Sequence, residues 1–141
     1  MATDTVEVNR IRWWNITLWL VQGLLAVFFL YAGIMKVTQP PQALAEMGWA
    51  WALAMPPAFI QFLGVMEVLG AIGIIAPAAM RILPFLTPLA VVGMAFVQVS
   101  AIVLHGIRGE TAFTLPLNLV VLALALFVIW GRWRKASVAA R

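Results

Sequence analysis

Glu67 is where a chemical reading of this sequence begins. It sits in a stretch that is otherwise apolar from Phe62 to Pro77, between Gly64 and Gly70. A carboxyl group there can take up a proton, pair with a cation or hold a polar ligand. Left unpaired inside a membrane span, an ionisable side chain costs about 2.5–3.5 kcal/mol on insertion scales, so it needs a partner or a task. Five other side chains complete the candidate set: Lys36, Gln98, His105, Arg108 and Asn118. Lys36 and Arg108 can pair with a carboxylate, and His105 can carry a proton near neutral pH. Gln98 and Asn118 can donate and accept hydrogen bonds across helices. Gln98 lies seven residues before His105, which returns it to nearly the same helical face. The sequence has no cysteine and a single histidine. That excludes disulfides, thiol chemistry, iron–sulfur clusters, bis-histidine haem and multi-histidine metal sites within this chain, so no metal is expected. Redox chemistry would require a bound organic cofactor or a partner.

The elements that must position these groups are membrane helices. Apolar residues make up 65% and charged residues 10% of the 141, with a mean hydropathy of +1.03. A soluble domain carries about 25% charged residues, and five acids with nine bases cannot cover a soluble surface. The net charge of +4 comes without a dense basic patch or an aromatic platform, so no nucleic acid is expected as a partner. Four segments approach the about 20 apolar residues a span requires: 13–35, 58–76, 85–105 and 114–131. Pro40-Pro41 closes the first, Pro56-Pro57 opens the second, and Pro77 is expected to end it. The run from Trp13 is too long for a signal-peptide core and reads as a retained span. The expectation is an all-α, four-helix membrane bundle forming one domain over residues 1–141. The connection from Val37 to Ala58 holds Trp49 and Trp51 ahead of the proline pair and predicts a short interfacial segment. Trp13, Trp14, Trp130 and Trp133 fall at span ends as headgroup anchors.

Basic residues set the expected orientation. Arg10, Arg12, Arg81, Arg132, Arg134, Lys135 and Arg141 fall on one side and only Lys36 and Arg108 on the other. Seven against two predicts cytoplasmic termini, in a bacterial-type inner membrane. Asn15-Ile16-Thr17 matches a glycosylation pattern but starts a span on the cytoplasmic side, where that pattern has no use. Glu67 then lies about 12 Å below the outer interface and Gln98 about 10 Å below, at 1.5 Å per residue. Lys36, Glu67 and Gln98 are expected to face one another, with Asn118 entering from the fourth span and His105 and Arg108 at the rim. Each also has an ordinary structural role: register for Glu67, snorkelling for Lys36 and Arg108, a helix-end partner for His105, interhelical bonding for the two amides.

The ordered set Phe29-Leu30-Tyr31-Ala32-Gly33-Ile34-Met35-Lys36, then Gly64 to Pro77, then His105-Gly106-Ile107-Arg108-Gly109-Glu110 and Asn118 resembles the DoxX-like membrane proteins. The resemblance implies a four-helix membrane fold, in which Lys36, Glu67, His105 and Asn118 take the family's polar positions. It also implies a subunit or accessory of a membrane redox system, since some relatives look like subunits of sulfur-oxidising or thiosulfate to quinone oxidoreductases. No cofactor is evident in the residues themselves; the resemblance makes a quinone the candidate, with a redox protein or other membrane subunits the expected partners, besides the bilayer itself. Nothing in the residues sets up turnover by this chain alone. The alternatives are a structural or assembly subunit without a catalytic site, and a small proton-coupled transporter. Dual-topology transporters of that size need balanced bases, which this chain lacks.

Overall fold

The computed structural model of the chain describes residues 2–141. The elements run α1 (Ala2–Thr38), α2 (Pro41–Glu46), a 3-10 turn (Ala50–Ala54), α3 (Pro57–Met80), α4 (Leu86–Ile107) and α5 (Thr111–Arg134). Of these, α1, α3, α4 and α5 are long and apolar enough to cross a membrane. Helices of 22 and 24 residues reach about 33 and 36 Å, enough to span a hydrocarbon core of about 30 Å.

The four long helices close into a ring: α1 packs on α3, α3 on α4, α4 on α5, and α5 back on α1. Leu18, Leu25, Phe29, Ile74, Val91, Val121, Ala125 and Val128 fill the middle. Leu20, Val27, Phe62, Phe96 and Leu126 point outward and are exposed, the coat a bilayer would cover. Lipid gives no hydrophobic drive for helices to associate, so close packing and polar bonds must hold the ring. The closest approach is between α1 and α3. A Cβ on Gly33 would lie 2.7 Å from the Gly64 carbonyl oxygen, and one on Gly64 would lie 2.7 Å from that of Gly33. The two backbones touch there.

Two boundaries differ from the sequence expectation. Helix α1 begins well before Trp13 and carries Asp4, Glu7, Arg10 and Arg12 on its first turns. Asp4 near the N-terminus suits the helix dipole, and Arg10 lies 3.6 Å from Glu7 one turn away, so a polar sequence extends the helix beyond its apolar part. Helix α3 does not stop at Pro77 but continues to Met80. Proline removes one ladder donor, a loss that membrane helices tolerate when neighbours re-satisfy the backbone. Here the next groups along are served from outside: the Ala78 N–H donates to Thr87 Oγ1 at 3.2 Å, and the Ile74 carbonyl accepts from Gln22 Nε2 at 2.8 Å. Arg81, in the left-handed region at φ 58°, then ends the helix.

Between α1 and α3 the chain makes α2 and the 3-10 turn, whose buried residues Leu44, Trp51 and Ala52 pack with Ile60 of α3. This small cluster caps one end of the bundle, and the Lys36 site lies beneath it.

Candidate ligand pocket

Lys36 and Glu67 form the buried centre of that end. The Lys36 Nζ donates to Glu67 Oε2 at 2.7 Å, and the side chains are only 8% and 5% exposed. Their meeting follows from the helix crossing: Lys36 lies three residues after Gly33, and Glu67 three after Gly64. The helices run antiparallel, so these two residues leave the contact in opposite directions, Lys36 level with Gly64 and Glu67 a turn deeper, and the long lysine stem spans the contact to reach the carboxylate. The ammonium also lies 4.9 Å from the Trp49 ring centroid and 5.9 Å from that of Trp51. Two indoles and one carboxylate thus hold the cation, and cation–π contact strengthens when water is excluded.

A cavity of about 320 Å³ opens beside the pair, walled by Lys36, Thr38, Gln39, Pro40, Pro57, Ile60 and Gln61 among others. That is within the range of small-molecule pockets. Lys36 lines it, while Glu67 stands behind Lys36, away from the wall. A second hollow of about 230 Å³ runs between Ile34, Val37, Thr38, Val65, Val68 and Leu69, sharing Val37 and Thr38 with the first. A polar-walled cavity and an apolar groove between α1 and α3 thus lie side by side at Val37 and Thr38.

The remaining candidates do not join this pocket. Gln98 turns to α5, where its Nε2 donates to Asn118 Oδ1 at 2.6 Å and approaches the Asn118 carbonyl at 3.4 Å. A carboxylate already matched by an ammonium has less to offer an amide than a neighbour at the same level with two carbonyl oxygens. His105 and Arg108 form a third group with Glu110: His105 Nδ1 lies 2.9 Å from Glu110 Oε2, and Arg108 Nε donates to Oε1 at 2.8 Å. The six residues thus fall into three sets at the same end of the bundle, and of them only Lys36 lines the cavity, with Glu67 bonded behind it.

Glu110 and Arg108 sit in the turn between α4 and α5, outside the spans, against His105 in the last turn of α4. The hydrogen bond from His105 is the largest influence and Arg108 adds to it, so the Glu110 carboxyl is held below its ordinary 4.5 despite some opposing desolvation. A carboxyl lowered on folding contributes stability that is complete above the unfolded value and is lost as pH falls through the folded one. The thermal midpoint of Glu110→Gln in detergent is therefore expected slightly below wild type at neutral pH, with the gap closing on acidification below 4.5. A gap that stays constant down the pH range would remove this turn's electrostatic role.

The opposite end holds a polar group that residue counting assigned to orientation alone. Arg132 is only 3% exposed; its Nε donates to Gln22 Oε1 at 2.6 Å and its Nη1 to Asn15 Oδ1 at 2.7 Å. Gln22 joins three helices, donating to Ile74 on α3 while accepting from Arg132 on α5. The available signal was the heptad spacing of Gln22, Phe29 and Lys36, which puts a second polar residue on the inward face of α1. No curated protein and no solved structure matches the chain. The model of the DoxX-like family matches residues 20–128, which takes in the Lys36–Glu67 pocket, the Gln98–Asn118 bond and the Glu110 turn, and the chain belongs to that family.

Proposed function

We propose that this chain is the quinone-holding membrane subunit of a redox system, with the ring of the quinone in the Lys36 chamber and its tail in the apolar groove. The observation that carries the reading is a buried Lys36–Glu67 pair whose lysine lines a cavity that neighbours an apolar groove. A quinone is an apolar ring with two carbonyl acceptors and a long hydrocarbon tail, and the lining suits each part. Lys36 has N–H donors beyond the one given to Glu67, so it can meet a carbonyl without breaking the pair. Trp49 and Trp51 flank the ammonium and keep its surroundings low in polarity, which strengthens that bond. Glu67, directly behind the ammonium, orients Lys36 and can accept or return a proton through it. When bound, a quinone supplies electron uptake coupled to proton uptake; the electron source belongs to a partner.

In this reading the Lys36 end faces the exterior and both chain ends face the cytoplasm of a bacterial-type inner membrane, as the seven-to-two bias in basic residues favours. A second reading, an assembly subunit without a ligand, draws on the fact that Lys36 and Glu67 satisfy each other. The two separate on one assay. Chain purified in mild detergent and extracted with organic solvent is expected to yield a quinone near one per chain, identified by absorbance and mass. Extracts free of quinone, from a preparation that also fails to retain an added short-tail quinone, would leave the assembly reading.

A further inference from the structure

At the end of the bundle away from Lys36, a guanidinium is buried without an anion. Arg132 Nε and Nη1 donate only to neutral oxygens, those of Gln22, Asn15 and the Ala136 carbonyl at 3.0 Å, and its face lies 5.2 Å from the Trp19 ring centroid. Its Nη2 is buried with no hydrogen-bond partner among the described residues. Among the described residues no carboxylate forms an ion pair with it. Its neighbours in sequence, Arg134 and Lys135, add positive charge rather than offsetting it. A buried cation normally has a counter-charge, because burial strips it of water that nothing else replaces. Uncharged oxygens orient this one but do not neutralise it.

We propose that Arg132 anchors a binding site for a phosphate-class anion, from a lipid headgroup or free in solution, with Asn15 and Gln22 as positioning residues. The geometry is that of a fork already aimed. Gln22 cannot turn away without giving up the Ile74 carbonyl, and Asn15 fixes the other side, so Nη1 and Nη2 present a planar edge suited to two oxygens of one anion. The Ala136 carbonyl now stands where one of those oxygens would be. It opens the non-helical segment 136–141, which is tied down by Arg81 Nε donating to the Ala139 carbonyl at 2.9 Å and by the Arg141 N–H donating to the Arg81 carbonyl at 3.0 Å. That segment is the cover, and the anion takes the place of its first carbonyl as it lifts. Arg132 lies within one turn of the end of α5, the level at which headgroup phosphates border a span.

The full chain is to be placed in phosphate-free alkyl maltoside micelles alone, in the same micelles with phosphatidylglycerol, and in the same micelles with inorganic phosphate in the buffer. A higher thermal midpoint in the second medium assigns the lipid as source, and one in the third assigns the free anion. R132M is expected to weaken the response at least about tenfold in the concentration needed. R134Q, at an exposed position, is expected to keep it. Equal midpoints for wild type in all three media, or an R132M response equal to wild type, would overturn the site. Should R132M fail to fold, native mass spectrometry of the wild-type chain decides: one retained phosphatidylglycerol or phosphate supports the site, and none overturns it.

Discussion

Lys36→Ala is expected to destabilise the folded chain by about 3–5 kcal/mol, because it strands a buried carboxylate. Glu67→Ala should do the same by stranding the ammonium. A smaller figure has to be weighed here, since interhelical polar bonds in membranes average only about 0.6 kcal/mol. That average describes side chains whose loss leaves a neutral group that finds other partners. In this protein the loss leaves a charge on a side chain only 5% or 8% exposed, so the larger figure applies. Lys36→Met with Glu67→Met removes both charges at similar volume and is expected to recover most of what either single change loses. The check is unfolding by added sodium dodecyl sulfate in mixed micelles, run on the four proteins together. A double variant as unstable as the sum of the singles would deny that the two residues act as a pair.

Gly64→Val is the second large change. Its Cβ would lie 2.7 Å from the Gly33 carbonyl oxygen and 2.8 Å from Lys36 Cβ, and a backbone atom cannot rotate aside. The helices must separate, at a cost of about 1–3 kcal/mol from overpacking alone. Because the Lys36–Glu67 bond spans this same contact, separation also stretches it from 2.7 Å, so the loss should exceed that range. Gly93 is the control: nothing lies within 4 Å of a Cβ built there, and Gly93→Ala should be neutral or stabilising by up to about 1 kcal/mol. Comparable losses at Gly64 and Gly93 in the same micellar unfolding assay would mean that the α1–α3 contact is not the close one.

Lys36 was legible as one candidate partner of Glu67 because a lone acid inside a span has few exits, and a lysine stem at the end of the preceding span can reach down to it. Depth alone did not say which way a side chain turns. Gln98 and Glu67 stand at similar levels, yet Gln98 bonds Asn118, since the rotation of α4 about its own axis is decided by packing such as Met94 against Gly70. Arg132 was illegible for a different reason. A base close to a span end satisfies the orientation rule whether it reaches water or folds inward, and here Asn15 and Gln22 of α1 draw it inward. Pro77 misled as a helix stop because its effect is cancelled by Thr87 and Gln22, residues distant in sequence. The spans themselves were readable from length and apolarity, whereas the α1 extension before Trp13 rests on local charge pairing that hydropathy does not register.

The central claim is that the chamber beside Lys36 holds a quinone ring, and the most direct measurement is binding of a short-tail quinone to the reconstituted chain. Trp49 and Trp51 stand at the ammonium, so quenching of tryptophan emission reports occupancy. The account predicts saturable quenching in wild type, and in the folded Lys36→Met, Glu67→Met double variant an affinity at least about tenfold lower, since a charge-assisted hydrogen bond is lost. Quenching that rises linearly without saturation in wild type, or saturates identically in the double variant, would contradict it.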